Sequence, residues 1–262
     1  MVRQVDIVRL DLTNGKTQKT TDCVAEESPL YLFVNGSFWA MILCSPSNLK
    51  DLAVGHLLSE GVLKSIDEIE QVTFKEEEKS CNIQLKPSVN AKARIRLSRL
   101  HTRVICSACS NSIPYQYERK PAKVTSNSTV NAKIVFNAVT ELNSKAELYK
   151  KTGGVHVAAI CKADGSIVAL AEDIGRHNAV DKVVGNAALS KTNFSECFLA
   201  FSGRLPSDVV FKVAKVGLPI IASFGAALDS GIALATETNL TLIGFIREKR
   251  MNIYTFPQRI TM

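Results

Sequence analysis

Residues 197–246 read CFLAFSGRLPSDVVFKVAKVGLPIIASFGAALDSGIALATETNLTLIGFI, and this stretch decides the fold. Three short apolar runs within it, at 197–201, 219–223 and 240–246, have the length and composition of buried strands. The segments between these runs predict helices, the first of which begins after Pro206. Strands that alternate with helices in this way indicate a mostly parallel sheet that is covered on both faces.

The same α/β domain is predicted to occupy residues 126–262. Two further strands, at 155–160 and 167–171, are joined by a short turn and form an antiparallel pair, which makes the sheet mixed. Helices are predicted from Val135 to Lys150 and from Asn178 to Leu189. The expected architecture is a three-layer domain with the mixed sheet in the middle.

Residues 1–100 predict a smaller α+β domain. Residues 29–43 have the pattern of a β-hairpin, because Asn35-Gly36 at their centre tolerates the positive φ angles of a tight turn. Ser47 is the expected N-cap of the helix that follows, and His56 on that helix is interpreted as a core or edge histidine. Further strands are predicted at 5–10, 72–74 and 82–85.

The composition is that of an ordinary globular protein: of 262 residues, 46% are hydrophobic and 22% are charged. These proportions exclude collagen, low-complexity and small disulfide-scaffold proteins. No apolar run reaches the roughly 18–20 residues that span a bilayer, and residues 1–6 lack the apolar segment of a signal peptide. We therefore expect a cytoplasmic protein without a membrane partner.

The chain is basic, with 32 Lys and Arg against 25 Asp and Glu, a net charge of +7 and a pI near 9.0. This balance favours an anionic partner such as a nucleic acid, a phosphorylated cofactor or an acidic protein surface. A lysine-rich surface without any such partner fits the composition equally well.

The seven cysteines include one close pair, Cys106-Ser107-Ala108-Cys109. Small and turn-forming residues surround this pair, which predicts a mobile loop over residues 101–125 that joins the two domains. Because no secretion signal is recognised, we expect reduced thiols and not a disulfide framework.

Several chemistries suit the cysteine pair. Two thiols at this spacing can bind a metal, with His101 as a third ligand, form a reversible disulfide, or act as nucleophile and resolving thiol. Arginines upstream of Cys106 favour a thiolate over a thiol by charge attraction. A reactive thiol that accepts sulfur as a persulfide is the preferred interpretation.

Polar, glycine-rich turns adjoin the strands of the second domain at 152–156, 172–178 and 201–204. In open α/β sheets, ligands bind where strands end and helices begin. Arginines and the N–H groups at helix starts suit phosphate oxygens, and glycines allow a close approach. The residues predicted to line an anion-binding crevice are Gly153, Gly154, His156, Arg176, His177, Ser202, Gly203 and Arg204.

A basic cluster follows the last strand predicted in this domain. Guanidinium groups here could bind phosphates while the neighbouring aromatic ring flanks a base. A solvated basic loop explains the same pattern equally well. The candidate binding residues here are Phe245, Ile246, Arg247, Glu248, Lys249 and Arg250.

With these motifs, the chain resembles the formate dehydrogenase accessory sulfur-carrier family of the FdhD type. The resemblance is carried by residues 152–156, 172–182, 202–204 and 215–219 and by the ending Arg250-Met251-Asn252-Ile253-Tyr254-Thr255. It spans essentially the whole chain and is strongest after residue 150. It implies a second domain similar in fold to the cytidine deaminases, and a homodimer.

The same resemblance implies a sulfurtransferase that receives sulfur from a cysteine desulfurase. The sulfur passes to a molybdenum cofactor with two molybdopterin guanine dinucleotides (Mo-bisMGD), which then enters the catalytic subunit of formate dehydrogenase. The persulfide-bearing cysteine of the family falls on Cys106, with Cys109 as a second catalytic candidate, and the cofactor-binding stretch falls on residues 245–250. A guanine nucleotide is the expected mimic of this ligand, and neither a resident metal nor a nucleic acid is expected.

The chain departs from the family at Ser107 and Ser110, where glycines are usual, and two other functions stay open. The first is a cofactor chaperone that binds the molybdopterin without sulfur chemistry. The second is a zinc-dependent deaminase, which needs His-x-Glu and Pro-Cys-x-x-Cys motifs. Here Ala158 stands where the Glu after His156 would be, and Ile105 precedes the cysteine pair, so the deaminase motifs are incomplete.

Overall fold

The computed structural model describes residues 1–90, 94 and 123–262. The N-terminal part contains an antiparallel ribbon of two strands, a four-stranded mixed sheet and one helix. The elements are β1 (Val2–Leu10), β2 (Thr17–Ala25), β3 (Ser28–Val34), β4 (Ser37–Cys44), α1 (Leu49–Ser59), β5 (Ile69–Lys75) and β6 (Ser80–Leu85). The ribbon is β1-β2, and the sheet has the strand order β4-β3-β6-β5.

The predicted hairpin is confirmed, but the predicted helix cap is wrong. Asn35 and Gly36 have φ angles of 50° and 72°, as the tight turn between β3 and β4 requires. Helix α1 begins after Asn48, which has a left-handed φ of 53° and makes no side-chain cap. The Ser47 hydroxyl is instead 3.3 Å from the Nζ of Lys182, a residue far along the chain that the local pattern did not reveal.

The remaining strands are β7 (Val130–Asn131), β8 (His156–Lys162), β9 (Ile167–Asp173), β10 (Cys197–Phe201), β11 (Ile220–Ser223), β12 (Thr241–Arg247), β13 (Arg250–Ile253) and β14 (Ile260–Thr261). The central sheet has the order β13-β12-β11-β10-β8-β9, and β7 pairs separately with β14. Strands β10, β11 and β12 run parallel, whereas β8 and β13 pair antiparallel with β10 and β12. The predicted mixed sheet is confirmed. The prediction that it is mostly parallel is wrong, because three of its five strand pairs are antiparallel.

The helices of this part are α2 (Ala132–Thr140), α3 (Leu142–Lys145), α4 (Glu147–Thr152), α5 (Arg176–Leu189), α6 (Ser207–Lys215) and α7 (Asp229–Glu237). They cover both faces of the central sheet. On one face, Leu199 and Phe201 of β10 belong to the buried apolar cluster that includes residues of α5 and α6. On the other face, Phe198 and Ala200 belong to the cluster that includes residues of α2. Within the described residues, no helix has the length and apolar character needed to cross a membrane.

Three short helices occupy the segment for which one helix from Val135 to Lys150 was predicted, so that prediction is wrong in its extent. Ala146 is extended, with φ −94° and ψ 104°, and interrupts the helical path. The carboxylate of Glu172 accepts hydrogen bonds from the backbone N–H groups of Leu148 and Tyr149, at 3.0 and 2.6 Å. These bonds satisfy backbone N–H groups in the first turn of a new helix, α4, which have no partner within the helix.

The N-terminal sheet and the central sheet share one continuous core through the crossing of α1 and α5. The two helix backbones touch at this crossing: a Cβ added at Gly55 would lie 1.8 Å from the Asp181 carbonyl oxygen. A Cβ added at Gly185 would lie 1.9 Å from the Asp51 carbonyl oxygen. The boundaries predicted between the two domains, and the likeness to the cytidine deaminase fold, stay predictions.

Candidate functional site

The three parallel strands β10, β11 and β12 end at one edge of the central sheet, and the loops after them pack on one another. A Cβ added at Gly225, after β11, would lie 2.5 Å from the Gly203 carbonyl oxygen, after β10. The backbone N–H of Phe245 in β12 donates a 3.0 Å hydrogen bond to the Gly225 carbonyl oxygen. The predicted groups 201–204 and 245–250 are therefore brought to one edge, with the loop 224–227 between them.

His156 lies at the same edge because β8 runs antiparallel to β10. The Ser202 hydroxyl accepts a 2.9 Å hydrogen bond from the Val157 N–H, which ties the start of β8 to the loop after β10. Strand β9 ends at Asp173, opposite His156, so α5 also begins here with Arg176 and His177. We call the following residues the strand-edge site: His156, Arg176, His177, Ser202, Gly203, Arg204, Phe224, Phe245 and Arg247.

The strand-edge site is rich in positive charge, which affects the pKa of His156. Burial lowers the pKa of His156, and the positive charge of Arg176, followed by His177 and Arg204, lowers it further, while Asp173 opposes this shift. A lowered pKa keeps the imidazole neutral at neutral pH. The neutral ring can exchange a proton with a bound ligand without adding to the positive charge of the site.

Asp208 on α6 orders two of the basic side chains. Its Oδ2 lies 2.8 Å from His177 Nε2 and 3.7 Å from Arg176 Nη2. Burial raises the pKa of Asp208, but the hydrogen bond and charge of His177 and the charge of Arg176 outweigh it and lower the pKa. The Nε atom of Arg176 is buried and has no hydrogen-bond partner among the described residues. Asp208 thus holds Arg176 in place, with its Nε facing the protein interior.

The segment 245–250 divides into different environments. Phe245 has a φ of 52° at an irregularity of the β12–β13 pairing, and the Arg247 guanidinium lies 5.3 Å from the centre of its ring. Ile246 is fully buried and packs in the core, so its side chain does not face a ligand as predicted. Arg247, Glu248, Lys249 and Arg250 are exposed, and a loose ion pair of 3.9 Å links Glu248 with Arg250.

Gly153 and Gly154 lie in the short link between α4 and β8. Gly153 ends α4 with a φ of 62°. A Cβ added at Gly154 would lie 3.6 Å from the Cβ of Ala25 in β2, on the side of the ribbon. Within the described ranges, no side-chain hydrogen bond or ion pair joins these glycines to the arginines of the strand-edge site.

The charged residues of the motif 172–182 are largely structural and lie behind the site. Asp173 and Lys182 are fully buried and form an ion pair of 2.7 Å. Asp173 also accepts hydrogen bonds from the N–H groups of Ser45 and Gly175, at 3.0 and 2.8 Å. Lys182 Nζ donates to the Ser45 carbonyl oxygen at 3.0 Å. This network fixes the start of α5 against the segment between β4 and α1.

A second buried network joins α1, α5 and α6. Asp181 lies 2.8 Å from Lys212 Nζ and 3.1 Å from His56 Nδ1, and the Ser59 hydroxyl donates to it at 2.6 Å. Burial opposes ionisation of Asp181, but the charge of Lys212 and the hydrogen bond from His56 outweigh it, so its pKa is lowered. The interpretation of His56 as a buried structural histidine is confirmed.

The four cysteines Cys44, Cys81, Cys161 and Cys197 are buried, whereas Cys23 on β2 is half-buried. Burial raises the pKa of these four thiols, to about 12 for Cys44 and Cys161 and to about 11 for Cys81. Thiols in this environment are protonated and inaccessible at neutral pH, so they are poor nucleophiles.

Cys106, Cys109 and His101 lie outside the described residues, as does the predicted loop apart from residues 123–125. Arg94, one of the basic residues upstream of the pair, forms two hydrogen bonds with the Glu68 carboxylate, at 2.6 and 2.9 Å. Its charge is thus largely neutralised on the N-terminal part. In the described part of the chain, no group of three or more His, Cys, Asp or Glu side chains could hold a metal ion.

Sequence reasoning missed the loop after β11, Phe224 to Ala227. A signal was present, because Ser223-Phe224-Gly225 closes a buried strand much as Phe201-Ser202-Gly203 does.

A cavity of about 450 Å³ lies away from the strand-edge site, at the start of α1, and is lined by residues such as Ser28, Lys50 and Lys79.

Comparison with known proteins identifies relatives over nearly the whole chain. Residues 25–261 match the model of the FdhD/NarQ family. A protein of Shouchella clausii named sulfur carrier protein FdhD is 31% identical over 250 residues, which cover 95% of this chain and 93% of that protein. A protein of Staphylococcus aureus with the same name is 34% identical over 258 residues, which cover 97% of this chain and 94% of that protein.

The fold is also found in a solved structure. The crystal structure of a candidate formate dehydrogenase accessory protein from Desulfotalea psychrophila superposes with a TM-score of 0.78 at 24% sequence identity. The superposition covers 99% of each chain, so the arrangement of both sheets described above is shared throughout.

Proposed function

The chain belongs to the FdhD/NarQ family, and on that premise we propose that it is a sulfur carrier for formate dehydrogenase. In this proposal Cys106 accepts sulfur from a cysteine desulfurase and passes it to Mo-bisMGD, which is the substrate bound at the strand-edge site. The sulfurated cofactor then enters the catalytic subunit of formate dehydrogenase. The proposal includes a cytoplasmic homodimer, as the family resemblance implies.

The distribution of the cysteines carries the proposal. Four of the seven cysteines are buried with raised pKa values, which leaves Cys23, Cys106 and Cys109 as candidate carriers. Cys23 stands alone on the exposed ribbon and lies before the family match, which begins at residue 25. Sulfur transfer is therefore assigned to the close pair, and to its first member by the family resemblance.

The transfer to Cys106 balances as a thiol–persulfide exchange. The Cys106 thiolate attacks the terminal sulfur of the persulfide on the desulfurase, the bond between that sulfur and the donor cysteine breaks, and the donor leaves as a thiolate. Cys109 then has a defined role: its thiol can attack the inner sulfur of Cys106, forming a disulfide and releasing the outer sulfur as hydrosulfide. The two cysteines thereby supply the two electrons that convert sulfane sulfur to sulfide.

The strand-edge site supports the second half of the proposal. A dinucleotide cofactor carries several phosphates. Arg204, in the loop after β10, and Arg247, at the end of β12, are exposed where phosphate oxygens can reach them. Arg176 adds its positive charge beside His156, whose pKa it helps to lower. These groups favour a polyanionic ligand, and the net charge of +7 favours its approach.

Intact-mass analysis tests the sulfur-carrier proposal. Incubation of the protein with a cysteine desulfurase and cysteine should add the mass of one or more sulfur atoms, and Cys106→Ala should abolish the addition. Cys23→Ala is the matched control and should still be modified. A sulfur adduct that persists in Cys106→Ala, or no adduct on the unaltered protein, would contradict the proposal. A Cys106→Ala variant that still supports formate dehydrogenase maturation would point to a binding-only chaperone.

A further inference from the structure

An exposed phenylalanine stands in the middle of the strand-edge site. Phe224 follows β11, the central strand of the three parallel ones, and 43% of its surface is exposed. Its backbone N–H donates a 3.1 Å hydrogen bond to the Phe201 carbonyl oxygen, which fixes the residue against the end of β10. Phe224 therefore presents a largely exposed aromatic ring on an anchored backbone.

The segments on either side of Phe224 carry the exposed arginines of the site: Arg204 in the loop after β10 and Arg247 at the end of β12. A Cβ added at the next residue, Gly225, would lie 2.9 Å from the backbone nitrogen of Arg204, so the two loops are in direct contact. On the other side, the Gly225 carbonyl oxygen accepts the hydrogen bond from Phe245, two residues before Arg247. Phe224 thus lies between the loop that carries Arg204 and the strand that ends at Arg247.

We propose that Phe224 is the residue on which a purine ring of the bound ligand stacks, while the flanking arginines hold its phosphates. This inference rests on the proposed function, in which the ligand carries guanine nucleotides. A flat aromatic ring between cations matches a nucleotide, which combines a flat base with a polyanionic tail.

Binding of GDP and of inorganic pyrophosphate, measured by calorimetry, tests this inference. Phe224→Ala should weaken GDP binding by roughly ten-fold, the size expected for loss of one base stack. Pyrophosphate binding should not change, because it has no ring to stack. Phe224→Tyr should retain GDP binding, and Phe74→Ala, which removes another exposed phenylalanine away from the site, should behave as the unaltered protein.

The outcomes separate the inference from the proposed function. If the unaltered protein binds neither GDP nor pyrophosphate, the proposed cofactor site fails and the inference fails with it. If GDP binds equally well to Phe224→Ala, or if the variant loses GDP and pyrophosphate to the same extent, stacking on Phe224 is refuted while the cofactor site stands. Unchanged GDP binding with lost formate dehydrogenase maturation would refute stacking and assign Phe224 to a protein contact.

Discussion

Gly185→Ala is expected to destabilise the protein, although helix propensity alone predicts the opposite. Gly185 lies inside α5, and replacing an interior helical glycine by alanine ordinarily gains about 1 kcal/mol. Here the new Cβ would lie 1.9 Å from the Asp51 carbonyl oxygen and 2.8 Å from the Gly55 nitrogen, both backbone atoms of α1. No rotation of a side chain relieves this overlap, so the helices must separate.

The size of the effect follows from that separation. A carbon–oxygen contact needs roughly 3.3 Å, so the helices must move apart by about 1.4 Å at the crossing. Overpacking a well-packed interface costs roughly 1–3 kcal/mol, and a backbone–backbone clash belongs at the upper end. After the gain in helix propensity, the net loss is about 2 kcal/mol, out of a total stability of roughly 5–15 kcal/mol.

Urea unfolding followed by circular dichroism measures this loss. A loss of about 2 kcal/mol lowers the unfolding midpoint by roughly 1 M, and Gly55→Ala should give a loss of similar size. Gly153→Ala is the control, because nothing lies within 4 Å of its added Cβ and its only cost is the left-handed φ of 62°. A midpoint that rises for Gly185→Ala would refute the close helix crossing.

Three further predictions concern the site and the cysteines. The pKa of His156, followed by NMR titration, should be below about 6.5 and should rise in Arg176→Gln. Because this pKa is lower in the folded than in the unfolded protein, the free energy of unfolding should fall as the pH drops below about 6.5. A His156 pKa above that value would contradict its burial beside cations. Arg204→Ala should weaken pyrophosphate binding by roughly ten-fold, and added salt should weaken the binding of the unaltered protein, whereas equal affinity of the variant would remove Arg204 from the site. A thiol reagent followed by peptide mapping should leave four cysteines unmodified until the protein is unfolded with urea: Cys44, Cys81, Cys161 and Cys197. Rapid labelling of any of them in the native protein would contradict the assignment of sulfur transfer to the close pair, which rests on their burial.

Local sequence signals were sufficient to predict elements whose conformation depends on residues close together in the chain. The turn at Asn35-Gly36 and the strand Cys197–Phe201 were predicted because backbone preference and a fully buried apolar run act within a few residues. Strand β2 (Thr17–Ala25) was not predicted, because most of its side chains are exposed and the sequence shows no apolar alternation.

Long-range contacts explain the other differences. The break between α3 and α4 depends on Glu172, which accepts the N–H groups of Leu148 and Tyr149 from another part of the chain. Asp181 meets His56 from 125 residues away, so nothing near either residue in the sequence marks it as part of a buried network. Charged residues of the family motif were therefore open to a ligand-binding interpretation until their burial was known.

The strand-edge site was predictable in outline because ligands bind at the ends of parallel strands, and β10 and β12 run parallel on either side of β11. Ile246 was included wrongly, since adjacent residues of a strand face opposite sides and a local motif does not say which side is buried. Phe224 was omitted because its neighbours in the sequence carry no charge.

A single-turnover transfer experiment tests the central claim most directly. The protein is loaded with radioactive sulfur by a cysteine desulfurase, separated from the donor, and mixed with the sulfur-free molybdenum cofactor. We expect the label to leave Cys106 and to be recovered on the cofactor, which then activates formate dehydrogenase. Label that stays on the protein, or a cofactor that is activated equally well by Cys106→Ala, would contradict it.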